Sequence, residues 1–288
     1  MKLALGTVQF GLPYGIANQS GQVSREDAAA IIANARLGGI DTLDTAIAYG
    51  ESEICLGKVG VHGFKVITKL PAIPDNIQDV DCWVTDQMHA SLKRLNVASV
   101  YGVLLHRSDQ LFGTKGAALI RSLKRLKYTG VVEKIGVSIY TPSELDPVID
   151  VLLIDIVQAP FNLIDQRLYT SGWLQKLYDS GVEVHARSAF LQGLLLMQPQ
   201  AIPEKFKYWE PLWGTWHNWL RVNRVSAVEA CIAFLQSFPQ ITKIVVGVDN
   251  PEQLKQLIMA ANLDFRNEWP LMSSDDENLI NPSRWDNL

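Results

Sequence analysis

Four side chains of types that exchange protons lie at the ends of three successive apolar runs. Asp44 ends the first run and Tyr49 follows it, Lys69 ends the second and His106 ends the third. If these runs are neighbouring strands about 4.8 Å apart, the side chains that leave their ends can meet in one pocket. A tyrosine has a pKa of about 10, and an adjacent cationic lysine lowers it. The set predicts general-acid chemistry at a carbonyl group, with Tyr49 as the acid.

The other two side chains have supporting roles in this hypothesis. Asp44 would keep Lys69 charged, and His106 would donate a hydrogen bond to the oxygen of an incoming carbonyl. Each residue alone has an ordinary structural explanation, such as a loop carboxylate, a packing tyrosine, a solvated strand end or a core histidine. Their occurrence together, in this order, favours the chemical interpretation.

Apolar runs alternate with amphipathic segments along the chain, which predicts eight βα units and a single-domain (β/α)8 TIM barrel. Such a barrel takes roughly 250 residues, which suits a chain of 288. An open doubly wound sheet is disfavoured because no G-x-G-x-x-G fingerprint follows the first run. We assign residues 1–272 to the barrel and 273–288 to an acidic, loosely packed C-terminal tail. The predicted strands are 3–7, 40–44, 64–69, 100–106, 132–138, 155–158, 182–187 and 243–247, and the main predicted helices are 24–36, 81–95, 115–128, 172–179, 226–236 and 251–261.

Composition limits the classes of protein and partner. Hydrophobic residues make up 48% of the chain and charged residues 19%, a balance typical of globular proteins. The net charge is -4 and the basic residues are scattered, so a small molecule is expected as the partner rather than nucleic acid. The three cysteines lack paired spacing, and no run reaches the ~20 apolar residues of a membrane span. Together with an N-terminus unlike a signal peptide, this predicts a cytoplasmic protein without a membrane partner. The histidines lack metal-ligand spacing, so no metal is expected, and the sequence does not predict the oligomeric state.

Seven short motifs occur at or near the predicted strand ends. They are L-G-T-V-Q-F-G (5–11), D-T-A-I-A-Y-G-E-S-E (44–53), I-T-K-L (67–70), L-L-H-R (104–107), I-G-V-S (135–138), Q-A-P-F-N (158–162) and V-V-G-V-D-N-P-E-Q (245–253). Each is weak alone, but in this order they resemble the aldo-keto reductases, a family of NAD(P)H-dependent barrel enzymes. The resemblance implies hydride transfer from NADPH or NADH to an aldehyde or ketone, including sugars or their derivatives. It implies that Tyr49 donates the proton to the substrate, that Lys69 and Asp44 adjust the pKa of Tyr49, and that His106 orients the substrate carbonyl.

The resemblance also implies which residues hold the cofactor. Ser138 and Gln158 match positions that bind the nicotinamide carboxamide. Arg187 stands where the family usually stacks an aromatic ring, and a planar guanidinium can also stack on a ring. The loop 187–193 matches the segment that contacts the cofactor diphosphate, although it would also serve as a plain βα turn. The implied cofactor-binding set is Gly6, Thr7, Val8, Asp44, Ser138, Gln158, Arg187, Ser188, Phe190, Gln192, Gly193, Gly247, Asn250 and Gln253.

The segment after the eighth strand departs from the pattern of NADPH-preferring members. Those members place a lysine or arginine there to meet the 2′-phosphate, whereas this chain has Asp249 and no cation between Gly247 and Gln253. A carboxylate repels a phosphate and accepts hydrogen bonds from a ribose diol. We therefore expect weak discrimination between the cofactors, or a preference for NADH.

Two alternatives to a carbonyl reductase remain open from the sequence. One is a sugar epimerase or lyase on the same barrel, which would show no net change in cofactor absorbance at 340 nm. The other is a non-catalytic, nucleotide-binding regulatory subunit, which would lose nothing measurable on replacement of Tyr49.

The segment 208–220 holds four of the eight tryptophans. Its aromatic rings either form a wall of the substrate pocket or pack as one buried helical stripe, since they recur at spacings of three and four.

Overall fold

Eight parallel strands close into a barrel in the order in which they occur along the chain, with β8 paired to β1. We describe the chain from a computed structural model, and the described residues are 1–18, 20–263, 265 and 268–287. Each strand is followed by one or more helices, so the predicted single-domain (β/α)8 TIM barrel is confirmed. The strands are β1 (Leu3–Gly6), β2 (Thr42–Asp44), β3 (Lys65–Leu70), β4 (Val100–Leu105), β5 (Val132–Ser138), β6 (Ile156–Pro160), β7 (Glu183–Arg187) and β8 (Ile241–Val246).

The helices surround the barrel, and several begin at side chains that cap them. Ser24 accepts a hydrogen bond from the Asp27 amide, and Ser226 forms a capping box with Glu229. Such caps satisfy backbone N–H groups that have no partner within a helix. The helices are α1 (Arg25–Leu37), α2 (Ser52–Val59), α3 (Val80–Leu95), α4 (Gly116–Tyr128), α5 (Leu145–Val151), α6 (Arg167–Thr170), α7 (Trp173–Asp179), α8 (Glu210–Asn223), α9 (Ala227–Gln236), α10 (Pro251–Ala260) and α11 (Glu277–Ile280). Short 3₁₀ segments occupy Val8–Phe10, Ser108–Leu111, Pro142–Glu144, Leu191–Leu196, Pro199–Ala201, Glu204–Trp209 and Pro282–Asn287.

The predicted strands differ from the observed ones mainly at their ends. The limits of β5 are those predicted, whereas β6 continues to Pro160 because its pairing with β7 extends to Arg187. The eighth strand starts two residues earlier than predicted, at Ile241, and ends at Val246 instead of Gly247. Since all strands are parallel, their carboxyl ends share one rim of the barrel, where the candidate site lies.

The barrel interior is apolar at its centre and charged at the rim opposite the site. Ile67, Leu104 and Ile156 are fully buried in a cluster of their own, separate from the large core between strands and helices. Below them, Glu183 accepts hydrogen bonds from Lys134 (2.6 Å) and Tyr101 (2.7 Å). Burial alone would raise the pKa of Glu183, but these partners and His185 lower it to about 2. This end of the barrel therefore holds a half-buried ion pair between Lys134 and Glu183.

The prediction of a loosely packed tail from residue 273 is wrong. Leu279, Ile280 and Trp285 are 0%, 1% and 2% exposed, and the Trp285 ring packs edge-on against Phe206 at 4.7 Å between centroids. The acidic residues that suggested solvation are partly used as hydrogen-bond acceptors, since Trp209 donates to Asp276. Three large apolar side chains outweigh a short acidic run. The boundary after residue 272 stays a prediction, and Leu288 lies outside the described residues.

Within the described ranges, no helix has both the length and the apolar character that crossing a bilayer requires.

Candidate active site

Lys69 and Asp44 form a buried ion pair at the carboxyl ends of β3 and β2. The Lys69 ammonium donates to Asp44 Oδ1 at 2.6 Å and to the Thr45 carbonyl at 3.0 Å, and the two side chains are 1% and 5% exposed. Burial lowers the pKa of Lys69, but the neighbouring Asp44 carboxylate and Tyr49 reverse this, so that the pKa is raised. Lys69 is therefore cationic at neutral pH, as the sequence predicted.

Tyr49 and His106 lie beside this pair. The Tyr49 hydroxyl is 3.5 Å from Lys69 Nζ, and the rings of Tyr49 and His106 are 5.7 Å apart. Burial, followed by the positive charge of Lys69, lowers the pKa of His106 to about 4. His106 is thus a neutral imidazole at physiological pH, with one N–H that can donate to an oxygen. The structure brings together all four side chains predicted from the sequence.

Hydroxyl groups beneath the β2–α2 loop, which carries Tyr49, connect the start of α2 to the ends of β1 and β2. Ser52 Oγ donates to the Thr7 carbonyl at 2.8 Å and lies 2.9 and 3.0 Å from the hydroxyls of Thr7 and Thr45. The loop also requires glycine at position 11, because a Cβ there would lie 1.9 Å from the Tyr49 carbonyl oxygen. The motif residues around Tyr49 therefore connect β1, β2 and α2 in a single arrangement.

Glu53, the last residue of the same motif, connects this loop to the strand of Lys69. Its carboxylate is buried and accepts hydrogen bonds from Thr68 and Ser91, both at 2.6 Å, and from Arg94 at 2.8 Å. Thr68 precedes Lys69 in β3, while Ser91 and Arg94 belong to α3. A fully bonded buried carboxylate of this kind fixes α2 against β3, and with it the spacing between Tyr49 and Lys69.

A cavity of about 490 Å³ opens above the four side chains. Asp44, Tyr49 and His106 line it, whereas Lys69 lies beneath its floor. Asn250 is not among the lining residues, because its side chain caps α10 by accepting from the Gln253 amide. The remaining residues that were predicted to bind the cofactor all line the cavity: Gly6, Thr7, Val8, Ser138, Gln158, Arg187, Ser188, Phe190, Gln192, Gly193, Gly247 and Gln253.

Several lining residues were not predicted from the sequence. Some of them belong to quoted motifs and could have been found from these: Gln9 lies in the first motif, and Val245, Val246, Val248 and Asp249 lie in the seventh, where Asp249 was already expected to affect the choice of nucleotide. The others depend on long-range contacts that leave no local signal. The additional lining residues are Gln9, Tyr14, Gly15, Ala17, Asn18, Tyr140, Ala189, Leu196, Val228, Val245, Val246, Val248, Asp249, Gln256 and Leu257.

The polar groups of the cavity suit a nicotinamide dinucleotide. Gln158 donates through Nε2 to Asp44 Oδ2 at 2.7 Å, and within the described residues its Oε1 accepts no hydrogen bond. Gln9 Oε1 is buried and has no partner in the same part of the chain. Together with the Ser138 hydroxyl, these groups can bind the carboxamide and hydroxyl groups of such a ligand, because buried polar atoms need partners.

Two segments meet over the mouth of the cavity. Asn18, in the loop after β1, donates to Asp249 Oδ1 at 3.0 Å, and the Asp249 amide donates to Gln253 Oε1 at 2.7 Å. Burial raises the pKa of Asp249. In the same loop, the Tyr14 hydroxyl accepts from Gln192 of the β7 loop at 3.4 Å. A carboxylate thus stands at the segment that was expected to select the nucleotide.

A second cavity of about 560 Å³ shares His106 and Tyr140 with the first. It is lined by the loops that follow β4 and β5 and by the C-terminal segment, which contributes Asn281 and Ser283. Arg107 and Phe112 complete its more exposed side. The two cavities therefore meet beside the imidazole of His106.

The tryptophans of the segment 208–220 pack within the fold. Trp213 and Trp216 are 4% and 1% exposed, and their indole N–H groups donate to the carbonyls of Phe206 and Leu195, both at 2.9 Å. No tryptophan lines either described cavity. Of the two alternatives, the buried stripe is the one that the structure shows.

Comparison with known proteins agrees with the fold and the motifs. The model of the Aldo/keto reductase family matches residues 2–269. The uncharacterized oxidoreductase YqkF of Bacillus subtilis (strain 168) is 25% identical over 285 residues, which cover 91% of this chain and 91% of that protein. Among solved structures, the holo form of the aldo-keto reductase AKR11C1 from Bacillus halodurans has a TM-score of 0.74 at 19% identity, covering 92% of this chain and 88% of that one. The putative aldo-keto reductase PA4992 from Pseudomonas aeruginosa has a TM-score of 0.67 at 22% identity, covering 90% and 89%.

At 19–22% sequence identity, the solved structures support the barrel fold alone. The family is established by the family model, which matches nearly all of the chain. The chain belongs to the aldo/keto reductase family of NAD(P)H-dependent oxidoreductases.

Proposed function

We propose that this protein reduces an aldehyde or ketone to the alcohol, with NAD(P)H as the hydride donor and Tyr49 as the general acid. The observation that carries the proposal is the convergence of Tyr49, Lys69, Asp44 and His106 at the floor of one cavity. A nicotinamide bound in that cavity would supply the hydride for the carbonyl carbon. The proton that completes the alcohol comes from this chain.

Tyr49 donates its hydroxyl proton to the carbonyl oxygen as negative charge develops there. The Lys69 ammonium, 3.5 Å from the hydroxyl, stabilises the tyrosinate that remains, and Asp44 keeps that ammonium charged. His106, neutral because its pKa is lowered to about 4, donates its N–H to the same oxygen and orients the carbonyl. Ser138 and Gln158 would hold the carboxamide of the cofactor, and Tyr49 recovers its proton from solvent after turnover.

The second cavity gives the rest of the substrate a place to bind. Because it meets the first at His106 and Tyr140, a carbonyl placed on Tyr49 can continue into it. Its lining combines the exposed aromatic rings of Phe112 and Tyr140 with hydroxyl, amide and charged groups. This mixture suits a polar carbonyl compound, such as a sugar derivative, better than a long apolar one.

The test is a panel of simple and sugar aldehydes, measured by the loss of absorbance at 340 nm with NADH and with NADPH. We expect oxidation of the cofactor that depends on the aldehyde, and a larger kcat/KM for hydroxylated aldehydes than for alkanals of equal length. An epimerase or lyase would convert a sugar without a change at 340 nm. A regulatory subunit would bind nucleotide but convert none of the compounds.

We further propose a preference for NADH, supported by Asp249 and by the absence of lysine and arginine from the segment 247–253, which follows β8. Asp249→Asn keeps the size of the side chain and removes the charge that would repel a 2′-phosphate. We expect the KM for NADPH to fall by about three- to tenfold in this variant, while the KM for NADH changes little. Asp86→Asn, on the exposed surface of α3, is the control. A wild-type protein that strongly prefers NADPH would refute the proposal.

A further inference from the structure

Arg187 places a positive charge in the wall of the catalytic cavity without an acidic partner among the described residues. Its guanidinium donates to the Ile139 carbonyl at 2.9 Å and to the Ser188 hydroxyl at 3.2 Å. Its central carbon lies 4.8 Å from the centre of the Tyr140 ring. All three partners are neutral, and a guanidinium does not lose its proton in proteins. The charge of Arg187 therefore remains uncompensated.

The other charged groups of the cavity do not cancel it. Lys69 and Asp44 neutralise each other at 2.6 Å, and Asp249 lies in the β8–α10 loop, where it is bonded to Asn18. The pKa of His106 is lowered by burial, then by the charge of Lys69, and also by the charge of Arg187. The field of Arg187 therefore reaches the imidazole. A group bound beside His106 therefore experiences a positive potential.

The charge of the nicotinamide ring changes during the proposed reaction. The ring is neutral when reduced and carries one positive charge after it has given up the hydride. To reach a carbonyl held by Tyr49 and His106, the reacting ring carbon must approach the carbonyl carbon to about 3–3.5 Å. The ring would therefore lie in the part of the cavity next to His106, which Arg187 also lines and where its charge acts on the imidazole.

We propose that Arg187 makes this cavity bind the reduced cofactor more tightly than the oxidised one, because its uncompensated charge repels the pyridinium ring. The proposal rests on the proposed function, since it requires a nicotinamide in this cavity. A charge that borders a charged ligand in a partly buried site changes a dissociation constant by about tenfold or more. The oxidised cofactor would then leave readily after each reduction.

The test is to measure dissociation constants for NADH, NAD⁺ and ADP-ribose by titration calorimetry, in the wild-type protein and in Arg187→Gln and Arg187→Lys. ADP-ribose reports on the part that the two cofactor forms share. We expect the wild-type ratio Kd(NAD⁺)/Kd(NADH) to exceed one, and to fall by about tenfold in Arg187→Gln. Arg187→Lys should keep most of the ratio, and the affinity for ADP-ribose should change little in either variant.

The matched control is Arg36→Gln. Arg36 also lies over an aromatic ring, at 5.0 Å from Phe64, and donates to a backbone carbonyl, that of His62, but it is outside both cavities. Its replacement should leave all three constants unchanged. If Arg187→Gln does not fold, Arg187→Met replaces it.

Two results would overturn the inference. One is a wild-type protein that binds NAD⁺ at least as tightly as NADH. The other is an unchanged ratio in Arg187→Gln with weaker binding of all three ligands, which would mean that Arg187 contacts the shared diphosphate. Failure of the proposed function looks different, since the wild type would then bind none of the three ligands, or would reduce aldehydes equally well after Tyr49→Phe.

Discussion

The charge of Lys69 depends on one carboxylate. The ammonium is buried, and among the described residues its only charged partner within 4 Å is Asp44. In a buried ion pair, mutual attraction offsets the cost of removing both charges from water. Removal of one partner leaves the other charge buried and unpaired, so this pair should contribute to stability as well as to chemistry.

Lys69→Met should lower the free energy of unfolding by about 3–5 kcal/mol, because Asp44 is left without its counter-charge. In the double variant Lys69→Met/Asp44→Asn, the loss in free energy of unfolding should be smaller than the sum of the losses in Lys69→Met and Asp44→Asn alone. Urea unfolding of the four proteins measures this difference. Lys255→Met, in an exposed pair with Glu252, is the control and should change stability by no more than about 0.5 kcal/mol. Additive losses would show that Lys69 and Asp44 are not coupled.

His106 gives the protein a pH dependence of stability with a defined direction. Its pKa falls from 6.5 in the unfolded chain to about 4 in the folded one, so protonation favours unfolding. The contribution of the neutral His106 to the free energy of unfolding is therefore complete above pH 6.5 and is lost as the pH falls towards 4. Between pH 7.5 and pH 5, the free energy of unfolding of the wild type should fall by about 2 kcal/mol more than that of His106→Gln. Urea unfolding of both proteins at both pH values measures this change. If the wild type and His106→Gln differ in free energy of unfolding by the same amount at pH 7.5 and at pH 5, the pKa of His106 is not lowered.

The strands and most helices could be predicted because each carries its own signal. Ser24 and Ser226 cap helices at the predicted starts, and alternation of apolar and amphipathic segments predicted eight strands in the right order. The ends of β6 and β8 were displaced because pairing with the neighbouring strand, and not composition, determines where a strand stops. The tail was misjudged for a related reason, since its charged residues are adjacent in sequence while Leu279 and Trp285 are buried by distant parts of the chain.

The tail should therefore contribute to the stability of the whole barrel. Trp285→Ala removes a buried ring that packs on Phe206 and an indole N–H that donates to the Leu279 carbonyl. We expect a loss of about 3–5 kcal/mol in the free energy of unfolding, in a single cooperative transition. Leu271→Ala, at a side chain that is 99% exposed, should have little effect. A Trp285→Ala protein as stable as the wild type would show that the tail is dispensable for folding.

Closure of the barrel brings the site together. Asp44, Lys69, His106, Ser138, Gln158 and Arg187 come from six strand ends or the residues that follow them, and a closed parallel sheet places all of these at one rim. The sequence predicted this because position on a strand is a local property. It did not predict the bond between Asn18 and Asp249, which are 231 residues apart, nor the contact of Arg187 with Tyr140. Both arise from loops that meet only after the barrel has closed.

The most direct test of the account is the transfer of deuterium from cofactor to product. The protein is supplied with NADH carrying deuterium at the reactive carbon, together with an aldehyde that it reduces, and the alcohol is examined by NMR. We expect deuterium on the former carbonyl carbon, and a rate in Tyr49→Phe that is about 10² to 10⁴-fold lower although the variant still binds NADH. An alcohol without deuterium, or a Tyr49→Phe protein that transfers it as fast as the wild type, would contradict the assignment of Tyr49 and its three neighbours to one carbonyl-reducing site.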